Sequence, residues 1–190
     1  MYESLKVEIE GISPLLMHNI QLADPRNPIV RDMKKITAKG KKKTDDDLIR
    51  LSELEFKGGL YMTEGGPCVP GTNIESMIGD AARKQRKGKD VLCGVLVDEM
   101  PLLVYDGPRD ADGLWNEPRF VDVRAVRVSQ AKIMRTRAIF HAWSLSFKVQ
   151  FLPDVLSRDT IIECLHTAGQ LCGLLDFRPK FGRFIVITPE

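Results

Sequence analysis

Lysine and arginine side chains, which bind phosphate groups through charge and hydrogen bonds, are concentrated in a few segments of this chain. Four segments hold 21 of the 28 basic residues and only Asp32 and Asp122 among the 26 acidic ones: residues 31–43, 83–89, 118–137 and 178–183. The net charge of +2 therefore conceals a strong segregation of charge. If the fold gathers these segments, one face attracts a polyanion; if it does not, they are separate solvated patches.

No motif for common enzyme chemistry accompanies the basic segments. The sequence has no Walker loop, no dinucleotide-binding glycine motif and no Ser-His-Asp order. The cysteines lie far apart with no His at metal-site spacing: Cys68, Cys93, Cys164 and Cys172. We therefore expect reduced thiols, no metal ion and no cofactor.

Hydrophobic periodicity indicates which elements position the basic segments. Alternation from Leu5 to Ile9 predicts a half-buried strand. After the corner Pro70-Gly71, apolar residues recur at helical spacing, so we predict a helix that Thr72 or Asn73 caps. We expect Gly88 to stop this helix, within a segment, residues 83–89, that contains five basic residues.

The C-terminal third predicts a second helix and a last strand. Ser157 or Asp159 is a start signal for a helix that continues through Cys172. The sequence RFIVI, residues 183–187, has the composition of a β-strand. Between helix and strand lies a loop rich in Gly, Arg and Phe.

Two further segments complete the order of elements. Residues 18–66 show little regular pattern beyond the amphipathic stretch Asp45–Phe56, so we predict a basic insertion with a mobile lysine-rich tip. Residues 119–129 and 143–151 alternate and predict the two strands of one hairpin. The arm between them, residues 129–141, either projects as a thumb that contacts phosphates and bases or forms an ordinary surface connection.

The order of these elements predicts an α+β fold with a ferredoxin-like or RRM-type βαββαβ core in a single domain, residues 1–190. The core has a long insertion after strand one and a β-hairpin thumb. No apolar run approaches the roughly 20 residues of a membrane span. The first residues, MYESLKVEIEG, are not signal-like, so we expect a cytoplasmic protein without membrane contact.

Three motifs, in the right order, resemble those of the RAMP superfamily of CRISPR-associated proteins. VPGTNIESMIGDAAR (69–83) resembles the I-P-G-S-S-[IL]-K-G motif of Cas7-like backbone subunits. NPIVRDMKK (27–35) is similar to a segment of type III backbone subunits, and GLLDFRPKFGRF (173–184) to the C-terminal glycine-rich loop. These motifs cover about a third of the chain, and the order of elements extends the resemblance over most of it.

The resemblance implies a subunit that binds guide RNA and polymerises along it, with a thumb that interrupts pairing to a complementary target nucleic acid. Other effector subunits can join such a multimer. The implied RNA contacts fall into four groups. They are a basic flap (Lys34, Lys35, Lys41, Lys42, Lys43), the end of the first helix (Arg83, Lys84, Arg86, Lys87), the thumb (Lys132, Met134, Arg135, Arg137) and a C-terminal clamp (Arg178, Lys180, Arg183). Pro70-Gly71 is expected to hold a helix N-terminus near RNA phosphate or a neighbouring subunit.

Two positions depart from the family pattern. Type III subunits cut target RNA with an Asp where this chain has Arg26, and Asp24, two residues away, is a displaced candidate for that catalytic role. Glu75 stands where the family motif often has Lys. We therefore expect binding without cleavage and assign no catalytic residue.

Two alternatives stay open. Some RAMP relatives process guide RNA with a histidine as general base, and His18, just after strand one, is the candidate for that role. The other alternative is a single-stranded nucleic-acid-binding protein that works without a guide. The two interpretations differ in the nucleic acid that is bound: a guide-binding subunit carries RNA of one defined sequence, and a stand-alone binding protein does not.

Overall fold

The computed structural model describes residues 1–128 and 131–189. The strands are β1 (Glu3–Gly11), β2 (Leu15–Leu16), β3 (Met62–Thr63), β4 (Gly66–Pro67), β5 (Val95–Leu96), β6 (Val121–Val128), β7 (Ala131–Phe140), β8 (Ser144–Phe151) and β9 (Phe184–Pro189). The α-helices are α1 (Pro28–Thr37), α2 (Asp45–Gly59), α3 (Gly71–Lys84), α4 (Gly88–Gly94), α5 (Ala111–Asn116) and α6 (Arg158–Thr167). Short 3-10 helices span Ile20–Ala23, Gly40–Lys42 and Pro118–Phe120, and a π-helical turn, Ala168–Cys172, follows α6. The α+β class predicted from the sequence is confirmed.

The described chain divides into two compact units. The first comprises Met1–Leu16, Met62–Asp106 and the chain from Phe140 onward, and the second comprises Met17–Tyr61 and Gly107–Ile139. The second unit overlaps the predicted insertion, residues 18–66. The single-domain organisation stays a prediction.

The first unit is built on a four-stranded antiparallel sheet with strand order β5-β8-β1-β9. Along β1, Leu5, Val7 and Ile9 are buried and the residues between them are exposed, as the alternation predicts. Burial of each such side chain contributes about 1.5–3 kcal/mol to stability. Helices α3 and α6 pack against each other and bury their apolar faces.

The second unit packs three helices with the β6–β7 hairpin. Helix α2 contacts both α1 and α5, and its Phe56 lies 5.4 Å from the ring of Trp115. The hairpin pairs from Val121↔Ala138 to Val128↔Ala131. Residues 129 and 130, at the start of the predicted arm, lie outside the described residues.

Four predicted elements are confirmed: β1, α3, α6 and β9. The start signal of α6 is also confirmed, since the Ser157 side chain accepts a hydrogen bond from the Thr160 backbone N–H. Two predictions about α3 are wrong. Pro70 rather than Thr72 or Asn73 occupies the N-cap, and α3 ends at Lys84, while Gly88 begins α4.

The predictions for the two irregular segments need larger corrections. Within residues 18–66, the amphipathic stretch Asp45–Phe56 lies in α2, but α1, whose start Asn27 caps, was not expected. The predicted hairpin partner is also wrong: β6 pairs with β7, and β8 pairs with β1. No helix in the described part of the chain is long and apolar enough to cross a membrane.

Candidate nucleic-acid interface

The corner Pro70-Gly71 has a packing role at the start of α3. A Cβ atom added to Gly71 would lie 1.9 Å from the carbonyl oxygen of Val97, so only glycine fits there. Further along the same end of α3, the Glu75 carboxylate accepts a hydrogen bond from the Val97 backbone N–H at 2.7 Å. Position 75 therefore needs a hydrogen-bond acceptor, which a Lys side chain does not offer.

Two of the four basic groups meet at the C-terminal end of α3. Asp80 accepts hydrogen bonds from Arg83, one turn further along α3, and from Arg178, which lies 98 positions away in the sequence. The Arg178 Nη1 to Asp80 Oδ2 distance is 2.9 Å. One carboxylate thus holds a guanidinium group from each segment.

An open groove of about 410 Å³ lies beside this pair of contacts, between α3 and the C-terminal loop. Its lining residues are Asp80, Lys84, Leu171, Cys172, Arg178 and Pro179. Each guanidinium has five N–H donors, and the bond to Asp80 uses one of those on Arg178. The remaining donors and the Lys84 ammonium are suited to an anion such as phosphate.

The thiol of Cys172 at the bottom of this groove is a neutral group. Burial raises the pKa of Cys172, an effect that the positive charges of Lys84 and Arg178 partly offset. A protonated thiol leaves the groove with two cationic side chains and one anionic side chain.

The loop that carries Arg178 has an unusual and well-fixed backbone. Leu175 and Phe177 have φ angles of +61° and +60°, which bulky residues seldom adopt. The loop is closed by the Leu174 N–H, which donates to the Gly182 carbonyl at 2.9 Å, and the Gly182 N–H, which donates to the Pro14 carbonyl at 2.8 Å. Such conformations persist where surrounding contacts enforce them, and they are frequent at ligand-binding sites.

The other members of the helix-end and clamp groups have different surroundings. Arg86 is exposed and has a φ angle of +63° just after α3. Lys87 is half-buried and donates to the Thr160 hydroxyl at 3.0 Å, so it connects the end of α3 to α6. Lys180 is exposed, whereas Arg183 Nε donates to the Pro179 carbonyl at 2.8 Å and supports the loop.

The predicted basic flap lies in the second unit and is partly compensated by acids. It runs from the end of α1 through the 3-10 helix at Gly40–Lys42. Lys35 pairs with Asp32 at 2.7 Å, and this hydrogen bond lowers the pKa of Asp32. No ion pair is formed by the other four flap lysines within the described chain; these are Lys34, Lys41, Lys42 and Lys43.

In the thumb group, the structure separates packed from exposed side chains. Arg135 Nη1 lies 2.6 Å from a carboxylate oxygen of the buried Glu55, whose other oxygen accepts from the Thr136 N–H at 2.8 Å. Arg137 is buried as well. Lys132 and Met134 are the exposed members of this group, and their side chains can contact a partner directly.

The two weak catalytic candidates lie in ordinary structural positions. His18 is half-buried, and its carbonyl accepts a hydrogen bond from the Tyr61 hydroxyl at 3.3 Å. Asp24 accepts from the backbone N–H of Arg26 at 2.9 Å and from the Arg26 side chain at 3.3 Å. Among residues 1–128 and 131–189, no cluster of three or more His, Cys, Asp or Glu could hold a metal ion.

Sequence reasoning missed two residues of this site. Asp80 lies three positions before Arg83 on α3, which is the spacing of a helical ion pair, but its contact with Arg178 depends on tertiary structure. Phe177 precedes Arg178 in the strained loop and is exposed, which periodicity does not reveal. No protein-family model matches the chain, and the comparison with curated proteins finds no match either.

Proposed function

We propose that this protein binds single-stranded RNA through the phosphate backbone, as a guide-binding backbone subunit of a RAMP-type CRISPR effector, without cleaving RNA itself. The observation that supports the proposal best is the convergence of Lys84 and Arg178 on one groove. Two segments predicted separately from charge alone meet there through Asp80. A groove with free guanidinium and ammonium donors suits a phosphate group.

The arrangement of the first unit supports a ferredoxin-like core for this proposal. Its main elements follow one another as β1, α3, β5, β8, α6 and β9, which is a βαββαβ order. The first and third strands of that series, β1 and β8, are central, and β5 and β9 are the edges. In this scheme the β6–β7 hairpin is inserted between the second and third strands, in the place proposed for the thumb.

The exposed face of the sheet is a poor alternative site for RNA. RRM proteins stack bases on aromatic side chains of this face. Here the exposed positions of β1 and β8 include Glu8 and Glu10 as well as the paired Lys6 and Lys148, so these charges cancel, and none of these four residues is aromatic. This contrast favours the groove at the end of α3 as the binding surface.

The proposal includes a multimer in which copies follow the guide RNA side by side and expose it to a complementary target. The resemblance of the three motifs supports this part. Lys132 and Met134 of the thumb and the flap lysines are proposed as further contacts to the nucleic acid.

A charge-reversal experiment tests the groove. The double variant Lys84→Glu/Arg178→Glu is compared with Lys6→Glu/Lys148→Glu, which changes the net charge equally at paired positions of the sheet. We expect the groove variant to bind single-stranded RNA more weakly in fluorescence anisotropy, with a salt slope reduced by about 0.7 for each phosphate group that the variant no longer binds. The sheet variant should keep both affinity and slope. Equally weakened binding in the two variants would mean that general charge, and not this groove, attracts RNA.

A further inference from the structure

Phe177 is an exposed aromatic residue that directly precedes Arg178, one of the residues that line the groove. About 38% of its surface is exposed, although its sequence neighbour Arg178 lines the groove and is bonded to Asp80. The two other phenylalanines of this segment differ from it: Phe181 is half-buried and Phe184 is buried. A single exposed apolar residue is common in proteins, so its exposure alone is not informative.

The backbone and a neighbouring ring fix the position of Phe177. Its φ angle of +60° is rare for a bulky residue, and the loop contacts described above enforce it. Its carbonyl accepts a hydrogen bond from the Phe181 N–H at 3.3 Å. The Phe181 ring packs edge-on, with 5.4 Å between ring centroids and 76° between planes. The ring is therefore oriented before any ligand binds, which reduces the entropy cost of stacking.

A fixed aromatic ring next to phosphate-binding donors matches the chemistry of a nucleotide. Phe177 and Arg178 are consecutive residues whose Cα atoms are about 3.8 Å apart, so both side chains begin within the reach of one nucleotide or two adjacent ones. Bases of single strands stack on aromatic side chains largely without regard to sequence. Bases of a duplex are already stacked and paired, so this contact favours single strands.

We propose that Phe177 is a stacking platform for one nucleobase of a single-stranded RNA whose phosphate lies in the groove lined by Lys84 and Arg178. The proposal rests on the proposed function and adds a base contact to its backbone contacts. Since stacking does not discriminate strongly among bases, Phe177 contributes affinity and strand preference but little sequence specificity.

The test compares two probes of equal charge and length: a single-stranded RNA oligonucleotide and its abasic ribose-phosphate counterpart. Phe177→Asn removes the ring and keeps a residue that tolerates positive φ, and Phe177→Tyr keeps the ring. We expect the wild type to prefer the oligonucleotide by roughly 5- to 150-fold, the range of one stacked base. Phe177→Asn should lose most of this preference, and Phe177→Tyr should keep it.

The possible results separate failure of the base contact from failure of the proposed function. If the wild type binds both probes equally, the base contact is wrong while the backbone proposal stands. If Phe177→Asn weakens both probes by the same factor, the ring supports the loop and not a base, which also overturns the inference. If the wild type binds neither probe, the proposed function fails and the inference fails with it. Phe177→Gly, which fits the same φ angle without a side chain, replaces Phe177→Asn if that variant does not fold.

Discussion

At the scale of single residues, Asp80 determines the charge balance of the groove. Its carboxylate holds the guanidinium groups of Arg83 and Arg178, but it also places a negative charge where we propose that phosphate binds. Partly exposed ion pairs contribute about 0–1 kcal/mol each to stability, so the contacts are weak as a source of folding energy. The effect of Asp80 on RNA should therefore be mainly electrostatic.

We predict that Asp80→Asn binds single-stranded RNA about two- to fivefold more tightly than the wild type at low salt. The change removes one repulsive charge, and the amide oxygen still accepts a hydrogen bond from one guanidinium. Fluorescence anisotropy at two salt concentrations measures the effect, which should diminish as salt increases. Asp106→Asn, on the sheet side of the first unit, is the control of equal charge change. A lower affinity of Asp80→Asn would instead indicate that the carboxylate positions Arg178 for binding.

At the scale of elements, the start of α3 depends on glycine. The Gly71 Cα faces the carbonyl oxygens of Val97 and Glu99, and a Cβ atom there would lie 1.9 Å and 2.8 Å from them. We predict that Gly71→Ala destabilises the protein by about 1–3 kcal/mol or more, since the backbone must shift. Gly79→Ala in the same helix is the control: the nearest side-chain atom is 4.0 Å from the added Cβ, so the change should stabilise by about 0.5–1 kcal/mol. Urea unfolding followed by circular dichroism measures both, and equal stabilities would contradict this packing role.

The N-terminus of helix α2 makes a pH-dependent contribution to the stability of the protein. Its N-terminus has a capping box in which the Thr44 side chain and the Asp47 side chain exchange hydrogen bonds with backbone N–H groups. A hydrogen bond from Lys39, followed by that from the Thr44 N–H, lowers the pKa of Asp47. Because the pKa of Asp47 is lower in the folded state than in the unfolded state, its ionised form stabilises the fold. This stabilisation is complete above the ordinary Asp pKa near 3.9, and it is lost as pH falls through the lowered pKa of the folded state.

We therefore predict that Asp47→Asn is less stable than the wild type at pH 7 and that the difference disappears in acid. Urea midpoints measured from pH 7 to pH 2 should begin to converge below about pH 4 and should coincide only below the lowered pKa of Asp47. Asp45→Asn, in the same first turn but outside the capping box, is the control and should show a smaller difference. A difference that stays constant down to pH 2 would show that the charge of Asp47 is not its cause.

Elements whose buried and exposed residues alternate regularly were predictable from the sequence, and elements without such a pattern were not. β1 has one buried face, so Leu5, Val7 and Ile9 alternate clearly. β7 does not alternate in this way, because Met134 is exposed while the consecutive polar residues Thr136 and Arg137 are both buried. Strand pairing was mispredicted because periodicity indicates which face of a strand is buried but not which strand lies beside it.

At the scale of the whole molecule, the sequence indicated which segments are basic but not which side chains come into contact in the site. Charge counting identified segments 83–89 and 178–183, and the structure brings Lys84 and Arg178 to one groove. It did not identify Asp80, whose contact with Arg178 joins residues far apart in the chain, or Phe177, whose exposure periodicity does not reveal. A charge count also does not reveal that the Arg135 side chain is bonded to Glu55 and that of Lys87 to Thr160.

The proposed guide-bound multimer makes a prediction for the intact protein. Purified at low salt without nuclease, it should elute as a large particle with an absorbance ratio typical of nucleic acid, and sequencing should recover one uniform short RNA. A multimer repeats the backbone-binding groove along the RNA, so many weak contacts together retain an RNA of defined length. A single groove would release its RNA, because the affinity of one groove for RNA depends strongly on salt. Lys84→Glu/Arg178→Glu should elute without RNA, and Lys6→Glu/Lys148→Glu should retain it. A monomer that carries random fragments, released by moderate salt, would contradict the guide-bound subunit and identify a stand-alone single-strand-binding protein.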